Sequence, residues 1–394
     1  MIAGTVIIAL CVLLILHSYL FYPFLLQWFS RRRSFPEYPA AAEPLLITVV
    51  MAVHNEQSVI GAKLESLFNT HYPKHRLQVL IGSDASTDDT NSIIRTFINQ
   101  GYPVQLLAFE QRTGKPSVLN RLVKQVRQSA QVPELLVFTD ANVIFTPDTL
   151  IRIAAPFTDQ QMGLVGANVL FSGIQSDNVS GVENVYNNRE LTLKYQEGII
   201  WGSMIGAFGA CYAMRTDLYT EVPEGFIVDD FYISMKVLEQ GYKAILHPKA
   251  ICYEDVSGDA EVEFRRKARI STGNFQNLVV LKKLLWPIWQ PEVFCYWSHK
   301  VLRWFTPLLL LVMALALLVC AAGIPAGRYG LLAIAGVLVL ALLDIPFSSI
   351  GLHISFLRSL RHFLFMNLAL LLGFWRYITG KANPVWQRTK RSTE

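Results

Sequence analysis

Leu135-Leu-Val-Phe-Thr-Asp140-Ala-Asn142-Val143 is the stretch that decides the fold. Four apolar residues run into a polar close at Asp140, and Asn142 follows two places on. A continuous apolar run this short reads as a buried strand of a parallel sheet. Ligands of open α/β sheets sit at the carboxyl ends of such strands. Asp140 and Asn142 are therefore expected at the mouth of a cleft. In an extended segment residues i and i+2 face the same side. Two oxygen donors aimed at one spot suit a hard divalent cation shared with phosphate. A strand end followed by an Asx turn would leave the same residues, so the rest of the chain has to decide.

Working outward, strand and helix signals alternate. Apolar runs at residues 46–53, 77–81 and 104–109 precede 135–139, and helical spacing fills 56–69, 88–99 and 115–129. This βαβα order predicts an α/β domain over residues 45–260, a doubly wound parallel sheet with helices on both faces. No Gly-x-Gly-x-x-Gly follows the first strand, which argues against a dinucleotide fold.

The chain has 394 residues, 52% of them hydrophobic, with a net charge of +5. That is too apolar for a soluble enzyme alone, and the basic residues cluster beside apolar segments. The pattern suits a lipid bilayer and no nucleic acid. Residues 1–30 form a spanning helix, followed at once by Arg31, Arg32 and Arg33 and a linker over 31–44. The order of apolar run and charge places the N-terminus outside and the α/β domain in the cytoplasm, in a multi-pass protein of the inner, or plasma, membrane. Residues 261–299 mix Arg, Lys, Trp and Leu, as interfacial amphipathic helices do. Residues 300–379 hold two or three spans, and 380–394 are a basic tail. Four spans in all would put that tail outside, whereas its charge favours the cytoplasm, so one segment is expected to be re-entrant or interfacial. The five cysteines (Cys11, Cys211, Cys252, Cys295, Cys320) show no pairing pattern and read as free thiols.

Several polar constellations sit at strand ends. Asn55-Glu56 closes the first strand and Asp84 the second, with Thr87 or Asp88 placed to cap the next helix. A carboxylate at Asp84 faces the same cleft as Asp140 and can accept hydrogen bonds from a base or ribose. Lys115, at a helix start in Arg112-Thr-Gly-Lys-Pro-Ser-Val-Leu-Asn120, is a natural phosphate binder, although a solvated loop would look similar. Together these residues describe a site for a nucleotide diphosphate.

The same residues resemble the membrane-bound family 2 glycosyltransferases, the group that includes cellulose, hyaluronan and poly-N-acetylglucosamine synthases. Asn55-Glu56 and Asp84-Ala-Ser-Thr-Asp88 look like the family's two uridine-side motifs, and Gly114-Lys115 through Asn120 like its Gly-Lys segment. Asp140-Ala-Asn142 is similar to its Asp-x-Asp metal motif, with Asn in the second place. The resemblance implies a GT-A fold, a UDP-sugar donor, and Mg2+ or Mn2+ held by Asp140 and Asn142. Val228-Asp229-Asp230 resembles the Thr-Glu-Asp motif, which makes Asp230 the general base and Asp229 its neighbour. Two close carboxylates raise one pKa, which helps a proton acceptor, although acids also start helices for electrostatic reasons alone. Gly206 to Arg215 is Gly-rich and can line the sugar and acceptor pocket, or simply pack tightly.

Arg266-Lys-Ala-Arg269-Ile270 stands where the family has Gln-x-x-Arg-Trp. Arg269 matches; Arg266 and Ile270 replace Gln and Trp. The missing Trp and the Asn at 142 argue against processive polymerisation. The expected activity is inverting transfer to a lipid-linked or saccharide acceptor at the cytoplasmic face. A processive exopolysaccharide synthase with export or assembly partners, and a non-catalytic membrane scaffold, are the alternatives.

Overall fold

The computed structural model describes residues 2–39, 43–172, 179–255, 260–323, 325–350, 352 and 354–381. Residues 40–42 of the linker and all but the first two residues of the basic tail lie outside them.

Strand β1 (Ile47–Val53) is buried along its whole length. Its β-branched residues favour a pleated backbone covered on both faces. Val50 and Ala52 feed one core, while Ile47, Val49, Met51 and Val53 feed another. Strands β2 (Leu77–Asp84) and β4 (Leu135–Thr139) flank β1 in parallel, and β3 (Val104–Phe109) lies beyond β2. Helices Ile60–Phe68, Thr90–Asn99 and Lys115–Arg127 make the crossovers. The carboxylate of Asp88, one of the two expected caps, accepts the backbone N–H of Thr90 at 3.1 Å.

The second half corrects the expected all-parallel sheet. Strands β5 (Val143–Phe145), β6 (Met162–Ser172), β7 (Cys211–Arg215) and β8 (Lys243–Asp255) complete a sheet of order β3-β2-β1-β4-β7-β6-β8-β5. β7 runs antiparallel to β4 and β6, and β5 antiparallel to β8. The loop before β7 reaches the sheet at the carboxyl end of β4, where the Asp140 N–H donates to the Ala210 carbonyl at 3.3 Å. A strand entering from that edge can only run back against β4.

Among the described residues four helices are long and apolar enough to cross a membrane: Ile2–Ser30, Pro291–Ala321, Pro325–Ser349 and Ser355–Ile378. Residues 291–299, expected in the interfacial segment, are the first turns of the second of these. Ile2–Ser30 and Pro291–Ala321 pack antiparallel. A Cβ on Gly4 would stand 2.6 Å from Cys320 Sγ, and Ser18 Oγ donates to the Ser298 carbonyl at 2.8 Å. Each has one π-helical turn there, His17–Phe21 and Trp297–Val301. Ser355–Ile378 instead follows helix Ala260–Val280. Phe365 meets Phe264 at 4.6 Å, Ser271 Oγ donates to the Leu370 carbonyl at 2.9 Å, and Phe374 meets Phe275 at 5.0 Å. The numbers rise together, so these two helices run parallel.

Candidate active site

The ends of β1 and β2 are stitched to each other. Asn55, at φ 55°, accepts the Thr87 N–H through its side-chain oxygen at 2.8 Å. The Glu56 N–H donates to Thr90 Oγ1 at 2.8 Å, and Glu56 is buried. Asp84 is buried too. Its two carboxylate oxygens accept the N–H groups of Thr113 (2.7 Å) and Gly114 (3.0 Å). In this arrangement Asp84 shapes the loop leading into Lys115. That is a job the sequence did not show, because the loop is 29 residues away.

Gly114, at φ 87°, turns the chain into helix Lys115–Arg127. Lys115 leaves the helix start and donates to Asp140 Oδ1 at 2.6 Å, with Asp229 Oδ2 4.0 Å away. Burial alone would lower the Lys115 pKa; Asp140 and Asp229 overcome it and hold the ammonium well above the usual lysine range. Residues 140–143 form a tight turn in which the Val143 N–H donates to the Asp140 carbonyl at 3.3 Å. The extended i, i+2 geometry is therefore replaced by a turn, with Asp140 and Asn142 both half-buried at the cleft. Lys63 lies fully buried beneath this turn, donating to Thr139 Oγ1 (2.9 Å) and the Val143 carbonyl (2.6 Å). Burial pushes its pKa down to about 8.

Asp229 and Asp230 open helix Asp229–Glu239. Asp229 is buried and Asp230 half-buried. Burial raises the Asp229 carboxyl to about 6; Lys115 opposes the rise, and Asp230 and Asp140 add to it. Gly209 lies against Asp230, where a Cβ would stand 2.8 Å from Oδ2. Arg266 and Arg269 project one turn apart from helix Ala260–Val280. Burial, then Arg266, lowers the Arg269 pKa, while Asp229 and Asp230 raise it, so this guanidinium belongs to the same electrostatic cluster. Arg266 Nη1 lies 3.4 Å from Glu263. Glu254 joins the group unannounced. Register pairs it with Val143, and burial raises its pKa while Arg266 and an Asn142 hydrogen bond pull it back. Only its place at the end of a β-run hinted at this. His247 packs against Phe35, with ring centres 4.5 Å apart.

Among the described residues no three His, Cys, Asp or Glu side chains are grouped to hold a metal. Asp140 and Asn142 supply two oxygens at an open turn. Divalent ions bound with a diphosphate take one or two protein oxygens and complete their shell from phosphate and water. The residues fit an ion of that kind and not a protein-only cage.

A family model described as glycosyltransferase-like family 2 matches residues 44–273, more than half of the chain. The chain belongs to the family 2 glycosyltransferases, and its α/β domain is a GT-A domain. It is 21% identical over 280 residues to the probable glycosyltransferase YdaM of Bacillus subtilis, covering 69% of this chain and 65% of that one. It is 24% identical over 139 residues to a beta-monoglucosyldiacylglycerol synthase of Nostoc, covering 35% and 28% of the two chains. These matches span less than two thirds of either relative's length. Among solved structures, the mannosyltransferase PcManGT of Pyrobaculum calidifontis, in complex with GDP-Man and Mn2+, has the same fold. Its TM-score is 0.69 at 21% identity, over 95% of this chain and 99% of that one.

Proposed function

We propose that the protein is an inverting glycosyltransferase that moves a sugar from a UDP-sugar to a lipid-linked or saccharide acceptor at the cytoplasmic membrane face. One observation carries the reading: Asp140, Lys115 and the Asp229–Asp230 pair lie in a single cluster, with Lys115 bridging the first and the last. Asn55, Glu56 and Asp84 shape the nucleotide end. Lys115 is placed to leave Asp140 for the donor diphosphate. Asp140 and Asn142 would hold Mg2+ or Mn2+, which when bound draws charge from the departing diphosphate. Asp230, the more exposed of the pair, takes the proton from the acceptor hydroxyl as that oxygen attacks the anomeric carbon. Asp229 tunes it. Arg266 and Arg269 offer cations to the leaving group. Direct displacement from an α-linked donor gives a β-linked product.

The lipid bilayer serves as anchor and, for a lipid-linked acceptor, as its source. The Nostoc relative named for a glucosyl-lipid product supports a lipid-linked acceptor. The Pyrobaculum neighbour's GDP-Man makes guanosine donors the comparison to run. The test is nucleotide release by purified protein with a panel of UDP- and GDP-sugars, divalent ion, and membrane lipid present or absent. One UDP-sugar turning over faster with lipid is the expected result. No turnover of any donor under these conditions would overturn the reading.

A further inference from the structure

Helix Val179–Trp201 of the GT-A domain packs against the helices Ile2–Ser30 and Pro291–Ala321, and the mechanism above does not use it. Asn187, Glu190, Lys194 and Glu197 are nevertheless all buried on it. Positions three or four apart share one face. Buried charges are costly, and apolar residues would pack such a face at less cost, so their partners are informative.

Glu190 accepts from Lys300 (2.5 Å) and Arg303 (2.6 Å), and His299 Nε2 lies 3.1 Å away. Burial would raise its pKa, but Lys300 and His299 outweigh it and hold the carboxyl well below the usual range. Glu197 Oε1 accepts from Tyr22 Oη at 2.8 Å and lies 2.7 Å from His299 Nδ1. Its other oxygen accepts the Ile205 N–H at 3.0 Å. Lys194 donates to the Gly206 carbonyl, and its ammonium sits 3.9 Å from the centre of the Phe208 ring. Two side chains of one helix thus hold consecutive residues of one loop.

That loop runs past Asp230 and Asp140. Gly206 stands at φ 71°, and a Cβ on it would lie 2.5 Å from the Phe231 ring. The Ala207 N–H donates to Ser234 Oγ at 3.1 Å. Gly209 backs Asp230, and the Ala210 carbonyl accepts the Asp140 N–H at 3.3 Å. We propose that Lys194 and Glu197 are positioning residues: they set the 205–210 loop behind Asp230 and Asp140, and Glu197 ties that setting to Tyr22 and His299 of the membrane helices. The proposal rests on Asp230 as the base.

The test uses the full chain in lipid, with kcat, donor affinity and melting midpoint measured for Lys194→Met, Glu197→Gln, the double variant and Tyr22→Phe. Lys194→Met should lose about tenfold or more in kcat while donor affinity stays within about twofold, a split that a merely structural role would not give. The double variant should lose little more than the worse single, because both act through one loop. Tyr22→Phe, which removes only one hydrogen bond to Glu197, should lower kcat by less. If Lys194→Met does not fold, Glu197→Gln, which nearly preserves shape, carries the same test. Unchanged kcat in either single variant overturns the proposal. So does a fall in kcat matched by an equal fall in donor affinity and a lower melting midpoint. Asp230→Asn is measured alongside. If it stays active the base assignment fails, and the clamp is still judged by the split in Lys194→Met and Glu197→Gln.

Discussion

Asp229 and Asp230 are chemically identical neighbours placed in different surroundings. Burial favours the neutral form of Asp229 and moves its carboxyl to about 6; Lys115 favours the charged form, while Asp230 and Asp140 oppose it. Arg269 also faces the pair, and Lys194 acts on Asp230 from behind the 205–210 loop. The rate at saturating donor should therefore rise with pH through a limb near 6 as Asp229 ionises beside the base. Lys115→Met removes a cation that favours ionisation, so the limb should move to higher pH. A limb that stays put or moves down would contradict this electrostatic account. At the other end of the cluster, Asp140→Ala should abolish metal-dependent UDP binding, whereas Asn142→Asp should be tolerated because a carboxylate is the stronger ligand. Isothermal titration with and without EDTA reads both, and equal UDP affinity in the two conditions for the native protein would remove the metal assignment. Asp140 was legible from its place at the carboxyl end of β4, whereas Asp229 and Asp230, which a helix start would explain by itself, were legible only through the family resemblance. Lys63 and Glu254 were not, since a lysine in a helical run and a glutamate in a strand look like surface residues until the fold buries the first and half-buries the second.

Among the elements, β1, β3 and β4 were legible to within a residue, because short apolar runs between helical segments leave little choice of period, while β2 runs on three residues past its apolar stretch, through Gly82 and Ser83 to Asp84. The antiparallel entry of β7 was not, because it follows from where a distant loop meets the sheet edge. Helix Ser355–Ile378 also needed the structure. By composition it can span, yet it lies along Ala260–Val280, the helix that carries Arg266 and Arg269. Gly373 permits that approach: a Cβ there would stand 2.3 Å from Ser271 Cβ and 2.7 Å from the Ala268 carbonyl. Gly373→Leu should therefore force the helices apart at a cost of about 1–3 kcal/mol, read as a lower melting midpoint in detergent. An unchanged midpoint would mean that this packing contributes nothing.

For the whole molecule, the course of Ser355–Ile378 bears on the conflict between span count and tail charge. If it rests on the domain side, three spans remain and the basic C-terminus returns to the cytoplasm with the catalytic domain. Labelling of single cysteines introduced at Asp89 and Arg391 should find both inside; an external Asp89 would invert the topology, and an external Arg391 would restore a fourth span. The buried polar face of Val179–Trp201 joins the apolar helices Ile2–Ser30 and Pro291–Ala321 to the 205–210 loop, so under the proposed mechanism anchor and site are parts of one assembly. In the proposed mechanism Asp230 takes the acceptor proton, and the decisive experiment compares transfer by Asp230→Asn, Asp229→Asn and the native protein. Asp230→Asn should bind the UDP-sugar normally yet transfer at least about a hundredfold more slowly, on the order of 3 kcal/mol of transition-state stabilisation. Near-native transfer by Asp230→Asn, with or without loss in Asp229→Asn, would contradict it.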